Sequence, residues 1–154
     1  MAGYGASCDA FHFTAPHPEG RGLKRAIIAA VEKNNIALKD IAFVNAHGTG
    51  TPDNDRVETR VLADLLPDVP FVSTKGHTGH TLGAAGAIEA AFTIACLERS
   101  RLPKNAGFQT PDPELSSIPA TTDMEIQGAF AISESLAFGG HNGVLVFAKE
   151  GGRL

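Results

Sequence analysis

The chain has 154 residues, is 43% hydrophobic and 19% charged, and carries a net charge of −4. A chain of that size buries roughly two thirds of its unfolded surface, and without a basic excess it is not a nucleic-acid binder. Two distant cysteines, Cys8 and Cys96, exclude a disulfide scaffold and fit a cytoplasmic protein, and the longest apolar stretch, Gly83 to Leu97, is too short for a membrane span.

In chain order, Met1 to Ser7 reads as a strand entering a loop of Asp9, Pro16, Pro18 and Gly20. Leu23, Ala26, Ile27, Ala30 and Val31 recur at threes and fours, which predicts an amphipathic helix over Gly22 to Lys33. Ile41 to Asn45 is a short β-branched and aromatic run. It feeds the loop Ala46-His47-Gly48-Thr49-Gly50-Thr51-Pro52, and a second helix is expected over Asp55 to Leu66. Pro70 to Ser73 repeats the strand pattern and opens into Thr74-Lys75-Gly76-His77-Thr78-Gly79-His80. Thr81 to Ser100 is apolar nearly all round and rich in small residues, which predicts a central helix buried between layers. Residues 103–119 hold four of the prolines and read as an irregular crossing. Ala129 to Leu136 and Gly143 to Lys149 then form an antiparallel hairpin around the glycine turn Ala137-Phe138-Gly139-Gly140-His141-Asn142.

Strands alternating with helices imply an α/β layered sheet read here as a single domain, 1–154. Ligands bind beyond the carboxyl ends of the strands in such sheets, where the loops at His47, His80 and Phe138 are expected to converge. Glu89 would be stranded in an apolar helix without a cation, so a buried ion pair between Glu89 and Lys75 is expected. His47, His77 and His80 invite a zinc reading. It is set aside, because Lys75 would repel a dication and the His80 loop offers no aspartate or cysteine; no metal is expected.

Gly3-Tyr4-Gly5-Ala6-Ser7, Ala15-Pro16-His17-Pro18, Asn45-Ala46-His47-Gly48-Thr49, Ser73-Thr74-Lys75, Thr78-Gly79-His80, Leu82-Gly83-Ala84-Ala85-Gly86-Ala87 and Phe138-Gly139-Gly140 stand in this order along nearly the full chain. Together they resemble the C-terminal half of β-ketoacyl-acyl carrier protein synthases of types I and II. The resemblance implies a thiolase-like layered α-β-α-β-α fold, of which this chain would be the second half only. It also implies a decarboxylating Claisen condensation that elongates acyl thioesters with malonyl-acyl carrier protein, in fatty acid or polyketide synthesis.

Decarboxylation of a malonyl thioester leaves negative charge on the thioester oxygen, which two neutral imidazoles can meet with N–H donors. The resemblance points to His47 and His80 as that catalytic pair, with Lys75 as the third catalytic group and the cation that favours neutrality. By the same resemblance Glu89 supports Lys75, Thr49 and Thr51 bind the pantetheine amides and Thr14 lines their channel. Phe138 gates the acyl pocket and lends its backbone N–H to an oxyanion hole. The nucleophilic cysteine of the family belongs to the other half, so this chain alone is expected to be inactive in condensation; Cys8 and Cys96 are read as inert. No cofactor is implied. The expected partners are acyl carrier protein carrying malonyl or acyl phosphopantetheine and the N-terminal half of the synthase. Self-association is also expected, through the apolar face left without a partner layer. The alternative is a non-catalytic partner subunit, like a chain-length factor, of a complete synthase.

The chain departs from the family pattern at Glu134, commonly asparagine, at Leu136, commonly phenylalanine, and at Ala137 and His141, commonly glycine and threonine. Gly76-His77 replaces serine-methionine. Alanine at 137 is expected to stiffen the gate if its φ must be positive.

Overall fold

A computed structural model describes residues 1–149 and 151. One face of each apolar run had to be covered, and a five-stranded mixed sheet with helices on both sides covers it. The strands are β1 (Gly3–Cys8), β2 (Ile41–Asn45), β3 (Phe71–Val72), β6 (Phe130–Ala137) and β7 (His141–Ala148), in the order β1-β7-β6-β2-β3. β1 and β6 both pair antiparallel with β7, while β2 pairs parallel with β6 and β3. A separate two-stranded ribbon joins β4 (Arg101–Leu102) to β5 (Met124–Glu125).

Helix α1 (Arg21–Glu32) buries Leu23, Ala26, Ile27, Ala30 and Val31, the stripe legible in the sequence. It lies so close on β1 that a Cβ at Gly5 would fall 1.9 Å from the carbonyl oxygen of Ala26, which is why only glycine serves there. Helix α2 (Pro52–Leu65) starts three residues before the expected Asp55. Pro52 lacks the N–H that a first helical turn leaves unused, so it opens the helix at no loss. Both helices share an apolar core with the sheet face carrying Val44, Ile132, Val144 and Val146.

The opposite face carries Phe43, Val72, Ala131 and Phe147 and packs with Leu97 and Leu102. Here one expectation needs correction. The region from Thr81 is not helical at once: Leu82–Ala84 form a 3-10 turn, and α4 runs Ala85–Arg99 after the short helical turn α3 (Lys75–Thr78). Helix α4 is not buried all round either. It turns Ala85, Glu89, Thr93 and Leu97 to the sheet, while Phe92 and Ile94 remain 42% exposed. Among the described residues a single layer packs on α4, so the apolar residues of its other side face outward.

The β6–β7 hairpin turns through Phe138–Gly140, with Ala137 opposite His141. The left-handed backbone positions of that turn are Gly139 (φ 82°) and Gly140 (φ 77°); Ala137 is still strand, so no positive φ strains it. Among the described residues no helix is long and apolar enough to cross a membrane.

Candidate active site

Because β1, β2, β3 and β6 all run in one direction, the residues that follow each of them emerge at the same end of the sheet. Those are the loop holding Thr14, the turn holding His47, the turn opening with Lys75, and Phe138.

His47 stands two residues past the end of β2 and is 8% exposed. Its backbone N–H donates to Oε1 of Glu58 at 2.7 Å, and the N–H of Gly48 donates to Oε2 at 2.8 Å, so one carboxylate from α2 clamps the turn. Gly48 has φ 43°, and a Cβ there would lie 2.5 Å from Cβ of Ser73. The Ser73 hydroxyl uses that space to donate to the Gly48 carbonyl at 2.9 Å. Asn45 carries the tie across the sheet end: its amide donates to Thr74, to the Glu89 carbonyl and to Thr93 at 3.1–3.2 Å, and its oxygen accepts the Thr74 N–H.

Lys75 and Glu89 form the expected ion pair, with their side chains 5% and 3% exposed. The Lys75 ammonium also stands 3.3 Å from Nδ1 of His47. An ammonium has donors only, so Nδ1 accepts and the ring proton of His47 sits on Nε2. Burial first, then the charges of Lys75 and His80, lowers the His47 pKa from 6.5 to about 3. The imidazole is therefore neutral at any physiological pH.

His80 lies on the exposed side, its ring edge-on to that of His47 with centroids 5.7 Å apart and planes at 86°. Its Nδ1 accepts the backbone N–H of Leu82 at 3.1 Å, which again leaves the proton on Nε2. Leu82 adopts φ 52° to make that contact, a left-handed conformation costing a non-glycine residue on the order of 1 kcal/mol. Two imidazoles thus stand together, each with Nδ1 engaged as acceptor and Nε2–H left to donate. Such a pair can stabilise a developing oxyanion without a net proton transfer.

The remaining sequence candidates lie outside this buried network. The hydroxyls of Thr49 and Thr51 stand 3.1 Å apart at the mouth of the His47 turn. Thr14 is exposed, with its amide donating to Nδ1 of His12 at 3.2 Å, and Phe138 is 78% exposed on the hairpin turn. Cys8 is an exposed free thiol and Cys96 a half-buried one whose pKa burial raises.

Sequence reasoning missed Glu58 and Asn45. Glu58 had a readable signal: it shares the buried face of α2 with Asn54, Val57, Val61 and Leu62, where an unexplained acid implies a partner. Asn45 ends an apolar strand, and its three partners, Thr74, Glu89 and Thr93, lie 29 to 48 residues away, so nothing local marked it.

Residues 1–109 match the family described as beta-ketoacyl synthase, C-terminal domain. Over 97% of its length the chain is 41% identical to a 3-oxoacyl-[acyl-carrier-protein] synthase 2 of Synechocystis sp. and 43% identical to one of Staphylococcus aureus, in each case spanning 37% of the relative. Among solved structures it superposes at TM-score 0.89 and 40% identity on a ketosynthase in complex with its chain length factor from Xenorhabdus doucetiae, covering 97% of this chain and 38% of that one.

Proposed function

The chain belongs to the β-ketoacyl synthase C-terminal domain family, and from that premise we propose that it supplies the decarboxylating half of a Claisen-condensing site acting on malonyl-acyl carrier protein. The observation that carries the reading is the paired imidazoles, His47 and His80, both presenting Nε2–H and one of them kept neutral by burial and by Lys75. As malonyl thioester loses carbon dioxide, the electron pair of the breaking C–C bond moves into the thioester and charge collects on its oxygen. Two preset N–H donors, one of them on a buried ring, stabilise that charge more than the neutral ground state. The carbanion would then attack an acyl thioester held on a cysteine outside these 154 residues.

In this reading Lys75 is a catalytic group that biases His47, and Glu89 holds Lys75. Thr49, Thr51 and Thr14 bind the pantetheine arm of the carrier protein, and Phe138 covers the acyl chain. Residues 1–154 act as one domain in the cytoplasm, and the exposed apolar side of α4 is covered by the other half of the synthase or by a second copy. The observations favour this over a chain-length-factor-like partner subunit, because a non-catalytic subunit gives no reason to retain a buried Lys75–Glu89 pair aimed at His47.

The test is carbon dioxide release from malonyl-acyl carrier protein by the intact protein. Decarboxylation is expected, and His80→Ala is expected to lower it by on the order of 10²-fold, the size of one lost oxyanion donor. Wild-type protein releasing no more carbon dioxide than His80→Ala would refute the proposal.

A further inference from the structure

Directly beneath the His47 turn lie two acids that the chemistry above does not use. Glu58, 2% exposed, takes three N–H donors, from His47, Gly48 and, at 3.1 Å, the side-chain amide of Asn54. Glu134 on β6 is 0% exposed, on the same sheet face as Ile132, and neither of its carboxyl oxygens meets a hydrogen-bond donor. The ionisable side chain acting on it is Glu58, from α2; the flanking strands bring Val144 from β7 and Val44 from β2 to that face, and α1 brings Leu23 and Ile27.

Two carboxylates buried this deeply would, if both ionised, repel each other far from bulk solvent. Burial raises the pKa of Glu58 as well, but the donors from Gly48, His47 and Asn54 pull it back down, whereas nothing does so for Glu134; of the two, Glu58 is the one held charged. Glu134 has no donor to accept from, and the neighbour within hydrogen-bonding reach is an acceptor. Among the described residues no protein group donates to Glu134, and the pair is satisfied from within the protein when Glu134 itself carries a proton and becomes the donor.

We propose that Glu134 is a neutral carboxylic acid that donates to the Glu58 carboxylate, making it a positioning residue that fixes Glu58 and, through Glu58, the His47–Gly48 turn. Burial and the Glu58 charge raise the pKa of Glu134 well above the ordinary carboxyl value, in keeping with this state. The inference rests on His47 being a site residue, and its first two tests need no turnover.

The infrared spectrum of the intact protein at neutral pH is expected to contain a protonated-carboxyl stretch that disappears in Glu134→Gln. Unfolding measured against pH gives the second readout. A raised folded-state pKa contributes stability that is full below the ordinary carboxyl pKa and fades as pH rises toward the folded value. The stability of wild type relative to Glu134→Gln is therefore expected to fall as pH rises from about 4.5. The third readout is decarboxylation. Glu134→Leu, of similar volume but no donor, is expected to lose on the order of tenfold, the size of one hydrogen bond to a charged acceptor, and Glu134→Gln to restore it.

Absence of the protonated-carboxyl band overturns the proposal, and so does stabilisation of wild type but not Glu134→Gln by potassium or sodium, which would mean a cation bridges two ionised acids. Equal activity in the leucine and glutamine variants also overturns the positioning role. If wild type shows the band but releases no carbon dioxide, the proposed function fails while the protonation of Glu134 stands.

Discussion

Replacing Lys75 with methionine isolates what the buried ion pair does. The substitution keeps the aliphatic stem and leaves the Glu89 carboxylate, 3% exposed, with no cation; its Oε2 already lacks a hydrogen-bond partner. Breaking a buried pair from one side costs about 3–5 kcal/mol, because the remaining charge is neither solvated nor paired. Removing both charges, as in Lys75→Met with Glu89→Leu, is expected to return most of that loss, since a well-packed apolar pair of similar volume has no charge to desolvate. Stability and chemistry should then part. In the double variant His47 still lacks the donor at Nδ1 and the cation beside it, so its pKa rises from about 3 while burial, the larger cause, holds it below 6.5. Decarboxylation is expected to stay low in both variants. Denaturant unfolding of the intact protein, an NMR titration of His47 and carbon dioxide release read the three consequences separately. A single variant destabilised by less than about 1 kcal/mol, the range of an exposed pair, would refute the reasoning. So would a double variant no more stable than the single.

Three further outcomes are expected. His47 binds its proton near pH 3 when folded but near 6.5 when unfolded, so its contribution is complete above pH 6.5 and is lost as pH falls toward 3, by up to about 5 kcal/mol. The difference in unfolding free energy between wild type and His47→Gln, followed over that window, reads it. Gly48→Ala places a Cβ 2.5 Å from Cβ of Ser73 at φ 43° and is expected to destabilise the protein by about 1–3 kcal/mol while slowing decarboxylation, measured by unfolding and by activity. The 154-residue chain expressed alone is expected to self-associate through Leu82, Phe92 and Ile94, and sedimentation should show Phe92→Lys with Ile94→Lys shifting it toward monomer.

The local physics of the chain determined a good part of this. The period of Leu23, Ala26, Ile27, Ala30 and Val31 fixed both α1 and its buried face, because spacing alone decides which side chains share a helical stripe. The Lys75–Glu89 pair followed from the cost of an unpaired acid on an apolar helix, and the glycine-rich motifs around His47 and His80 carried the family and hence the fold. Other features depended on which surfaces meet. The composition of residues 81–100 suggested burial on every side, yet a helix is buried only where a layer lies against it, and α4 has one such layer among the described residues. Ala137 looked strained beside two glycines until strand pairing with His141 placed the turn one residue later. The clamp of Glu58 on His47 closes across 11 residues and two elements, and Glu134 reaches the same carboxylate from 76 residues further along the chain. Sequence alone therefore determined which residues hold charge, donors and apolar surface. Only the tertiary structure decided the ring tautomers, the neutrality of His47 and the pairing of the two acids, because those depend on distances between segments that no local pattern encodes.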